Sequence, residues 1–254
     1  WIMVMSHPDF KKYDVSSLLR AAYGAAPTPN SVKERILEAF PNAGLMESFG
    51  QTEMSPSVVI MKSQDALRKE GAVGFPQFNV EVRVVDDDMN DVPVGAVGEA
   101  VYRGATMFKG YYKNLEANKE AFRGGWFHSG DLVRRDEEGF IYVVDRKKDM
   151  IVSGGENIYS AEVEEVLFSH PKVQEAAVVG IPDPKWGEAV KAFVVLKAGQ
   201  TATPEEIIQF CEANLARFKR PKYVEFLQAL PRNAAGKVMK FELRGGKSLQ
   251  DAMA

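Results

Sequence analysis

Residues 125–159 read GWFHSGDLVRRDEEGFIYVVDRKKDMIVSGGENIY, and this stretch joins two different sequence patterns. Up to Arg146 it contains short runs of β-branched and aromatic residues, such as GFIYVVDR, with turn signals such as DEEG between them. This pattern predicts short β-strands. After Arg146 come charged residues and then the pair Gly154 and Gly155, ahead of a helical pattern. We therefore expect a domain boundary within DRKKD, residues 145–149.

The sequence before this stretch predicts one long helix followed by strands. NSVKERILEAFPNAG, residues 30–44, predicts a helix in which Ser31 and Glu34 form a capping box. GLMESFGQTE, residues 44–53, then predicts a strand that runs into a loop. Short β runs such as VEVRVV and GEAVYRG dominate the chain from residue 71 onward.

The sequence after the boundary alternates between helices and strands. A helix is expected from near Ser160, and EAAVVGI and VKAFVVLK predict strands. A second helix, TPEEIIQFCEANLARF, carries Thr203 as its cap, Pro204 at its first position and Glu206 to complete a capping box.

These patterns predict a mixed α/β fold in two domains. The first would cover residues 1–146, with an α/β part over 1–70 and a small β-barrel-like subdomain over 71–146. The second would be a compact α/β domain over 147–254, which is a usual domain size.

Composition excludes several classes of protein. The chain has 254 residues, 45% of them hydrophobic, and a formal net charge of −3. It has no Lys/Arg block that would indicate a nucleic-acid partner and no apolar run long enough to span a bilayer. The single cysteine, Cys211, excludes an internal disulfide and favours a reducing compartment. The start, WIMVMSHPDF, lacks a basic leader and a small-residue cleavage site, so we expect no signal peptide. It also begins abruptly, without a helix cap or tail, so we expect a piece of a longer protein.

Three stretches contain residues suited to chemistry. In GGWFHSGD, Asp131 follows a glycine in an expected tight turn, where it could accept two sugar hydroxyls or only satisfy local N–H groups. Gly154 and Gly155 would let backbone approach a ligand closely, although an ordinary strand–turn–helix link explains them equally well. His128 and the turn DDDMND are interpreted as structural.

The third stretch is ESFGQTE, residues 47–53. Phe49 could stack on a flat ring, and Thr52 could donate to a phosphate oxygen. Glu53 could hold Mg²⁺, which prefers few carboxylates together with substrate phosphates. A strand end followed by a polar loop is the alternative explanation.

Taken together, these motifs resemble those of the acyl-adenylate-forming (AMP-binding) superfamily, in its acyl-CoA synthetase branch. The resemblance covers essentially the whole chain through YGAAPTP, ESFGQTE, GEAVYRGATMFKGYYKN, residues 125–159 and PRNAAGK. It implies a two-step reaction in which a carboxylate attacks ATP to give acyl-AMP and pyrophosphate, and CoA then forms the thioester. It also implies that residues 1–146 end the large AMP-binding domain and that 147–254 form a mobile small domain.

The resemblance assigns roles to individual residues. For catalysis they are Lys237, Thr52 and Glu53, with Glu53 also expected to bind Mg²⁺. For the nucleotide they are Ala25, Ala26, Phe49, Gly50, Asp131 and Arg146. For CoA they are Gly154, Gly155, Trp186, Phe218, Arg220 and Lys222. For the acyl pocket they are Tyr23, Gly24, Ala25 and Gly50, and Lys148 is the expected hinge. Phe49 stands where tyrosine is more common and Ser129 where threonine is, while the effect of Gln51 is unassigned.

Several alternatives remain at this stage. Lys148 could be a surface lysine, and Trp186 could be there only for packing. The family's loop that cradles the β- and γ-phosphates should precede Trp1, so we expect this chain alone not to be a competent enzyme. The acid would be a fatty or an aromatic one, and the acceptor CoA or a carrier protein. The chain could instead be a non-catalytic nucleotide- or CoA-binding module. We expect a cytoplasmic protein, with peripheral membrane association and a homo-oligomer left open.

Overall fold

The computed structural model of the protein describes residues 1–24, 28–234 and 236–245. The chain divides into two compact units, one from Trp1 to Val143 and one that begins at Val144. Ala25 and Ala26, two of the predicted nucleotide contacts, lie outside the described residues. Among the helices of the described ranges, none is both long and apolar enough to cross a bilayer.

The first unit consists mainly of strands. They are β1 (Arg20–Gly24), β2 (Gly44–Gly50), β3 (Ser57–Met61), β4 (Ala72–Pro76), β5 (Val80–Val85), β6 (Val97–Gly104), β7 (Phe127–Arg135) and β8 (Ile141–Arg146), whose last three residues belong to the second unit. Its α-helices are α1 (Ile2–Met5), α2 (Asn30–Ala39) and α3 (Leu115–Ala121). Short 3₁₀ helices cover Phe10–Lys12, Thr52–Met54 and Arg123–Gly125.

These strands form one eight-stranded sheet in the order β1-β2-β3-β4-β8-β7-β6-β5. β1 and β2 pair in parallel, whereas β2–β3, β3–β4, β4–β8, β5–β6 and β6–β7 pair in antiparallel fashion. The mixed α/β class is thus confirmed. The expected β-barrel-like subdomain is wrong, because β4 pairs with β3 on one side and β8 on the other. The β-rich residues therefore extend the sheet of the first part of the chain instead of closing on themselves.

Helix α2 forms where the sequence predicts a helix, but its predicted cap is wrong. The backbone N–H groups of Val32 and Lys33 donate to the carbonyl of Pro29 at 3.0 and 3.2 Å. Pro29, in the extended conformation, is therefore the N-cap, and Ser31 lies inside the first turn. Ile36 is fully buried in a core that also contains Phe40.

The second unit is a sheet covered on both faces. Its strands are β9 (Ile151–Ser153), β10 (Glu156–Ile158), β11 (Val173–Asp183), β12 (Gly187–Leu196) and β13 (Tyr223–Phe226). Its helices are α4 (Ser160–Ser169), α5 (Pro204–Asn214) and α6 (Lys240–Leu243), with a 3₁₀ helix at Arg217–Lys219. The strand order is β10-β9-β12-β11, and β13 pairs with β12 in parallel.

Alternate residues of β11 explain why its sequence is apolar throughout. Val178 points into the cluster that includes α4 and α5, whereas Ala177 and Val179 point into a second cluster with Leu230. Successive side chains of a strand face opposite sides, so a strand buried on both faces needs apolar residues at every position. Helix α5 begins as predicted, since the Thr203 hydroxyl accepts a hydrogen bond from the Glu206 N–H at 3.3 Å.

Candidate functional site

A bulge in β7 places Asp131. Glu99 of β6 pairs with Leu132, and Val101 pairs with His128, so Ser129, Gly130 and Asp131 all lie opposite Ala100. Gly130 adopts a φ of +70°, a conformation that glycine adopts at little cost. Asp131 therefore lies inside a strand, and the tight turn expected from the sequence is wrong.

Buried polar groups fix the shape of this bulge. The Ser129 hydroxyl donates to the Ala100 carbonyl at 2.6 Å and accepts from the Asp131 N–H at 3.0 Å. The buried carboxylate of Glu99 accepts from the Gly130 N–H at 3.1 Å and lies 3.1 Å from Nδ1 of His128. Glu99 was not predicted as a site residue, because nothing in the sequence links it to a bulge 31 residues later.

The ESFGQTE stretch leaves β2 and enters a 3₁₀ helix at Thr52–Met54. Met54 is fully buried and anchors this turn, whereas Thr52 is exposed and Glu53 half-buried. The hydroxyl of Tyr111 donates to Glu53 Oε1 at 2.9 Å. The first unit thus holds the Glu53 carboxylate beside the Tyr111 hydroxyl, just after the end of β2.

Close backbone packing explains why two positions of the predicted acyl pocket are glycine. A Cβ atom on Gly24 would overlap the carbonyl oxygen of Ser48 in the neighbouring strand, and one on Gly50 would overlap the carbonyl oxygen of Pro56. Backbone approach within the sheet therefore requires glycine at both positions.

Beside these glycines lies a buried charged pair. Glu47 is the β2 partner of Tyr23, and both Glu47 and Lys33 are almost completely buried. Lys33 Nζ lies 3.9 Å from Glu47 Oε2, donates to the Ala66 carbonyl at 3.1 Å, and sits 5.8 Å from the centre of the Tyr23 ring. Burial raises the pKa of the Glu47 carboxyl, whereas Lys33 lowers it. Burial and the nearby Glu47 raise the pKa of Tyr23 well above its ordinary value.

In the second unit, Asp145 organises the start of the domain. Its Oδ2 atom accepts hydrogen bonds from the N–H groups of Ser160 and Ala161 and from the Ser160 hydroxyl. This carboxylate therefore lies at the N-terminus of α4, where the helix dipole favours negative charge. The exposed Lys148 lies in the turn that follows, in which Asp149 and Met150 donate to the Arg146 carbonyl at 2.9 and 3.0 Å.

Gly154 and Gly155 form the turn of the β9–β10 hairpin, with φ values of +60° and +86°. This geometry is typical of a two-residue hairpin turn and favours glycine at both positions. The alternative explanation, a strand–turn–helix link, is therefore wrong in detail, because the turn joins two strands. The Gly154 N–H donates to the Trp186 carbonyl at 2.7 Å, and a Cβ on Gly154 would come within 2.8 Å of the indole. Space beside Gly155 is open, since among the described residues other than its chain neighbours no atom lies within 4 Å of such a Cβ.

The aromatic and basic residues predicted for CoA already make contacts within the unit. Trp186 and Phe218 keep 48% and 44% of their surface exposed, so both rings remain accessible. Lys222 Nζ lies 2.6 Å from Oδ2 of Asp183, and this contact is the largest cause of the lowered pKa of that carboxyl. The Arg220 guanidinium donates to the carbonyls of Leu215 and Glu212 at 3.1 Å each. Arg220 thus fixes the end of α5.

Asp183 is a residue that sequence reasoning missed. Its Oδ1 atom accepts from the N–H groups of Lys185 and Trp186 at 2.9 and 3.0 Å, which sets the turn that carries the indole. The signal was present, because Asp followed by Pro favours the start of a turn.

Lys237 is exposed at the end of a tight loop. Arg232 and Val238 form a β-bridge at its base. Asn233 and Lys237 bond to each other twice, through Lys237 N to Asn233 Oδ1 and through Asn233 N to Lys237 O, both at 3.0 Å. The Arg232 guanidinium donates to the Gly236 carbonyl at 2.6 Å. These contacts hold the described residues on either side of Lys237, and the lysine itself is exposed.

A chain of buried and partly buried polar groups links this segment to the start of the unit. Lys240 Nζ lies 2.7 Å from Glu164 Oε1 and donates to the Ser160 hydroxyl at 2.6 Å. That hydroxyl donates in turn to Asp145 at 2.9 Å. Burial raises the pKa of Glu164, and Lys240 opposes the shift. The residues just after Lys237 are thus tied to the end of β8.

Two family models match the chain. Residues 1–112 match the model for AMP-binding enzyme, and residues 162–237 match the model for AMP-binding enzyme C-terminal domain. The two matches follow each other in the same order as the two structural units.

Known proteins resemble the chain along most of its length. Feruloyl-CoA synthase of Amycolatopsis sp is 41% identical over 95% of this chain and 49% of its own length. A 2-succinylbenzoate–CoA ligase of Bacillus cereus is 44% identical over 90% of this chain and 47% of its own length. The structure of o-succinylbenzoate CoA synthetase from Bacillus subtilis, in complex with an acyl-adenylate intermediate, is 36% identical, with a TM-score of 0.79. That match covers 89% of this chain and 46% of the other. The chain spans about half the length of these curated relatives.

The buried pair beside Tyr23 gives a first prediction. Replacing Lys33 with Met should lower the free energy of unfolding by about 3–5 kcal/mol, because it leaves the Glu47 carboxylate buried without a cation. The pKa of Glu47 should then rise further, so the loss should be larger at about pH 8 than at about pH 5, where the carboxyl can protonate. Urea denaturation at both pH values measures this.

The double variant Lys33→Met/Glu47→Gln is the matched control. It removes both charges, and most of the lost stability should return with little dependence on pH. Equal losses in the single and double variants would show that Lys33 acts through its packing and not through its charge.

Proposed function

Because this chain belongs to the AMP-binding enzyme family, we propose that it is the C-terminal portion of an ATP-dependent acid–CoA ligase. The observation that carries the proposal is the pair of family matches over both structural units, together with relatives named as CoA ligases at 41% and 44% identity. The remaining part of the active site would belong to the rest of the enzyme.

In the proposed reaction, a carboxylate oxygen of the acid attacks the α-phosphorus of ATP. The bond from that phosphorus to the bridging oxygen breaks, and pyrophosphate leaves. The thiol sulfur of CoA then attacks the acyl carbon and gives up its proton. The bond from that carbon to the phosphate oxygen breaks, and AMP leaves. Both steps bring negative groups together, so catalysis depends on positioning and on fixed positive charge.

The residues of this chain fit these requirements. Asp131 would accept the ribose hydroxyls from its bulge, and Phe49 would stack on adenine. Lys237, which is exposed and whose N–H donates to Asn233, would place its ammonium group between the acid and the α-phosphate. In the open space beside Gly155, the pantetheine arm of CoA could pass close to the backbone.

Glu53 fits a magnesium site. The described residues contain no cluster of three or more His, Cys, Asp or Glu side chains that could hold a metal ion. A single carboxylate suits Mg²⁺ in a nucleotide site, where phosphates and water supply the other ligands. When bound, the ion would offset the charge of the phosphates.

The relatives also favour a class of acid. Feruloyl-CoA synthase and 2-succinylbenzoate–CoA ligase are both named for acids that contain an aromatic ring. We therefore place aromatic acids ahead of fatty acids as substrates. The single cysteine agrees with a reducing, cytoplasmic location as part of the same proposal.

The test is an acid panel with the full-length enzyme. ATP–pyrophosphate exchange should appear with one or more ring-containing acids and be weaker with fatty acids. Addition of CoA should yield the thioester, and a pantetheinylated carrier protein should not replace CoA. Transfer to the carrier alone would indicate a carrier-loading enzyme, and no exchange with any acid would favour a non-catalytic binding module.

Lys237→Ala should lower the adenylation rate at least about a hundredfold, since removing one placed donor to a transition state typically costs that much. Thioester formation from premade acyl-AMP should change far less. Both half-reactions can be measured by rapid quench. Lys11→Ala removes another exposed lysine and should leave both rates unchanged. An adenylation rate within a few-fold of the parent would contradict the assignment of Lys237.

Lys148→Pro should spare adenylation and slow thioester formation. Proline fixes φ, and a hinge needs its dihedral angles free to change. The two backbone hydrogen bonds of this turn are donated by Asp149 and Met150, so proline at position 148 removes neither. Lys148→Ala is the control, because it removes the charge and keeps the backbone freedom. Equal loss of both half-reactions in the proline variant would count against a hinge.

A further inference from the structure

We propose that Tyr111 is a positioning residue for Glu53, holding the carboxylate that would bind Mg²⁺ during adenylation. This inference rests on the proposed function. The hydroxyl of Tyr111 donates to Glu53 Oε1 at 2.9 Å, and the Phe108 N–H donates to the Glu53 carbonyl at 2.7 Å. The same short segment therefore holds Glu53 through both its side chain and its main chain.

Tyr111 is itself fixed from its backbone. Oδ1 of Asn118 accepts from the Tyr111 N–H at 2.6 Å, and Nδ2 of Asn118 donates to the Tyr111 carbonyl at 2.9 Å. Gly110 adopts a φ of +135°, and a Cβ there would come within 2.9 Å of Asn118 Oδ1. Glycine at this position therefore lets the amide of Asn118 close on the neighbouring residue.

The ring of Tyr111 is held as well. It packs edge-on against Phe108 with 4.9 Å between ring centres. Phe108 in turn packs against Phe122 at 5.3 Å and Phe127 at 5.4 Å, within the core of the unit. The phenol thus stands on a rigid base, so its hydroxyl defines one position for the Glu53 carboxylate.

The chemistry of the donor suits a metal-binding carboxylate. A partly exposed glutamate has several rotamers, and ordering its side chain costs conformational entropy. A hydrogen bond made in advance removes part of that cost from metal binding. Lysine or arginine would also order the carboxylate but would cancel its charge. Tyrosine is neutral at physiological pH, so the full negative charge of Glu53 remains for the cation, and Oε2 can face it.

The experiment compares Tyr111→Phe with Tyr112→Phe in the full-length enzyme. Tyr112 is 87% exposed, and its ring contacts Lys113, so the control loses the same hydroxyl one residue away. Two quantities are measured. One is the Mg²⁺ concentration that half-saturates ATP–pyrophosphate exchange, and the other is the dissociation constant of Mn²⁺ in the ATP complex, followed by electron paramagnetic resonance.

Tyr111→Phe should raise both quantities about tenfold, the lower end of what loss of a partner to a metal ligand costs. At saturating Mg²⁺ its exchange rate should return to within a few-fold of the parent. Tyr112→Phe should match the parent throughout. In a Glu53→Gln background, Tyr111→Phe should add nothing, because the group that it positions is gone.

The Mn²⁺ measurement needs no acid substrate, so it separates the two proposals. Equal Mn²⁺ affinity in Tyr111→Phe and Tyr112→Phe would overturn the role of Tyr111, even with a lowered melting temperature, which would indicate a purely structural bond. A tenfold difference in Mn²⁺ affinity without exchange on any acid would support Tyr111 and overturn only the proposed ligase activity.

Discussion

Buried carboxylates that accept backbone N–H groups determine the shape of the candidate site. Glu99 accepts from Gly130 at the bulge, Asp145 from Ser160 at the start of α4, and Asp183 from Trp186 in the second unit. A buried carboxylate is costly unless hydrogen bonds satisfy it, so each of these groups permits few arrangements of its loop. Among the residues predicted to touch substrates, Asp131 lies in the bulge that Glu99 supports, and Trp186 lies in the turn that Asp183 sets.

The groups that shape these segments are buried, whereas the predicted ligand contacts differ in exposure, since Asp131 is itself buried. Glu99, Asp145 and Asp183 are buried, whereas Thr52 and Lys237 are exposed. Buried groups give fixed geometry, and exposed groups can reach a ligand. Replacing one of these buried carboxylates should disturb the segment that it holds, even where the carboxylate does not contact the substrate.

Local patterns predicted much of the fold, and most of the errors arose where contacts between distant residues decided the structure. The Thr203 cap and the alternation of helices and strands after residue 160 follow from neighbouring residues, and both were found. The barrel, the turn at Asp131 and the Ser31 cap were wrong. For the barrel, the pairing of β3 with β4 decided the structure, and for the turn at Asp131, the pairing of β6 with β7 did so. At Ser31 the carbonyl of Pro29 already accepts the first helical bonds, which a capping-box pattern does not reveal.

The same limit applies to the site, where motifs identify candidate ligand contacts but not their supports. Asp131, Glu53 and Lys237 stand in recognisable motifs, and their roles remain predictions. Tyr111 also stands in such a motif, yet its bond to a carboxylate 58 residues earlier leaves no local trace. The packing of Phe108 and the amide of Asn118 bring the phenol to Glu53. If the metal is bound mainly by phosphates, a single protein carboxylate must be held well by its surroundings, because no second protein ligand corrects its orientation. The neighbours of Glu53 would then matter to metal binding nearly as much as the carboxylate itself.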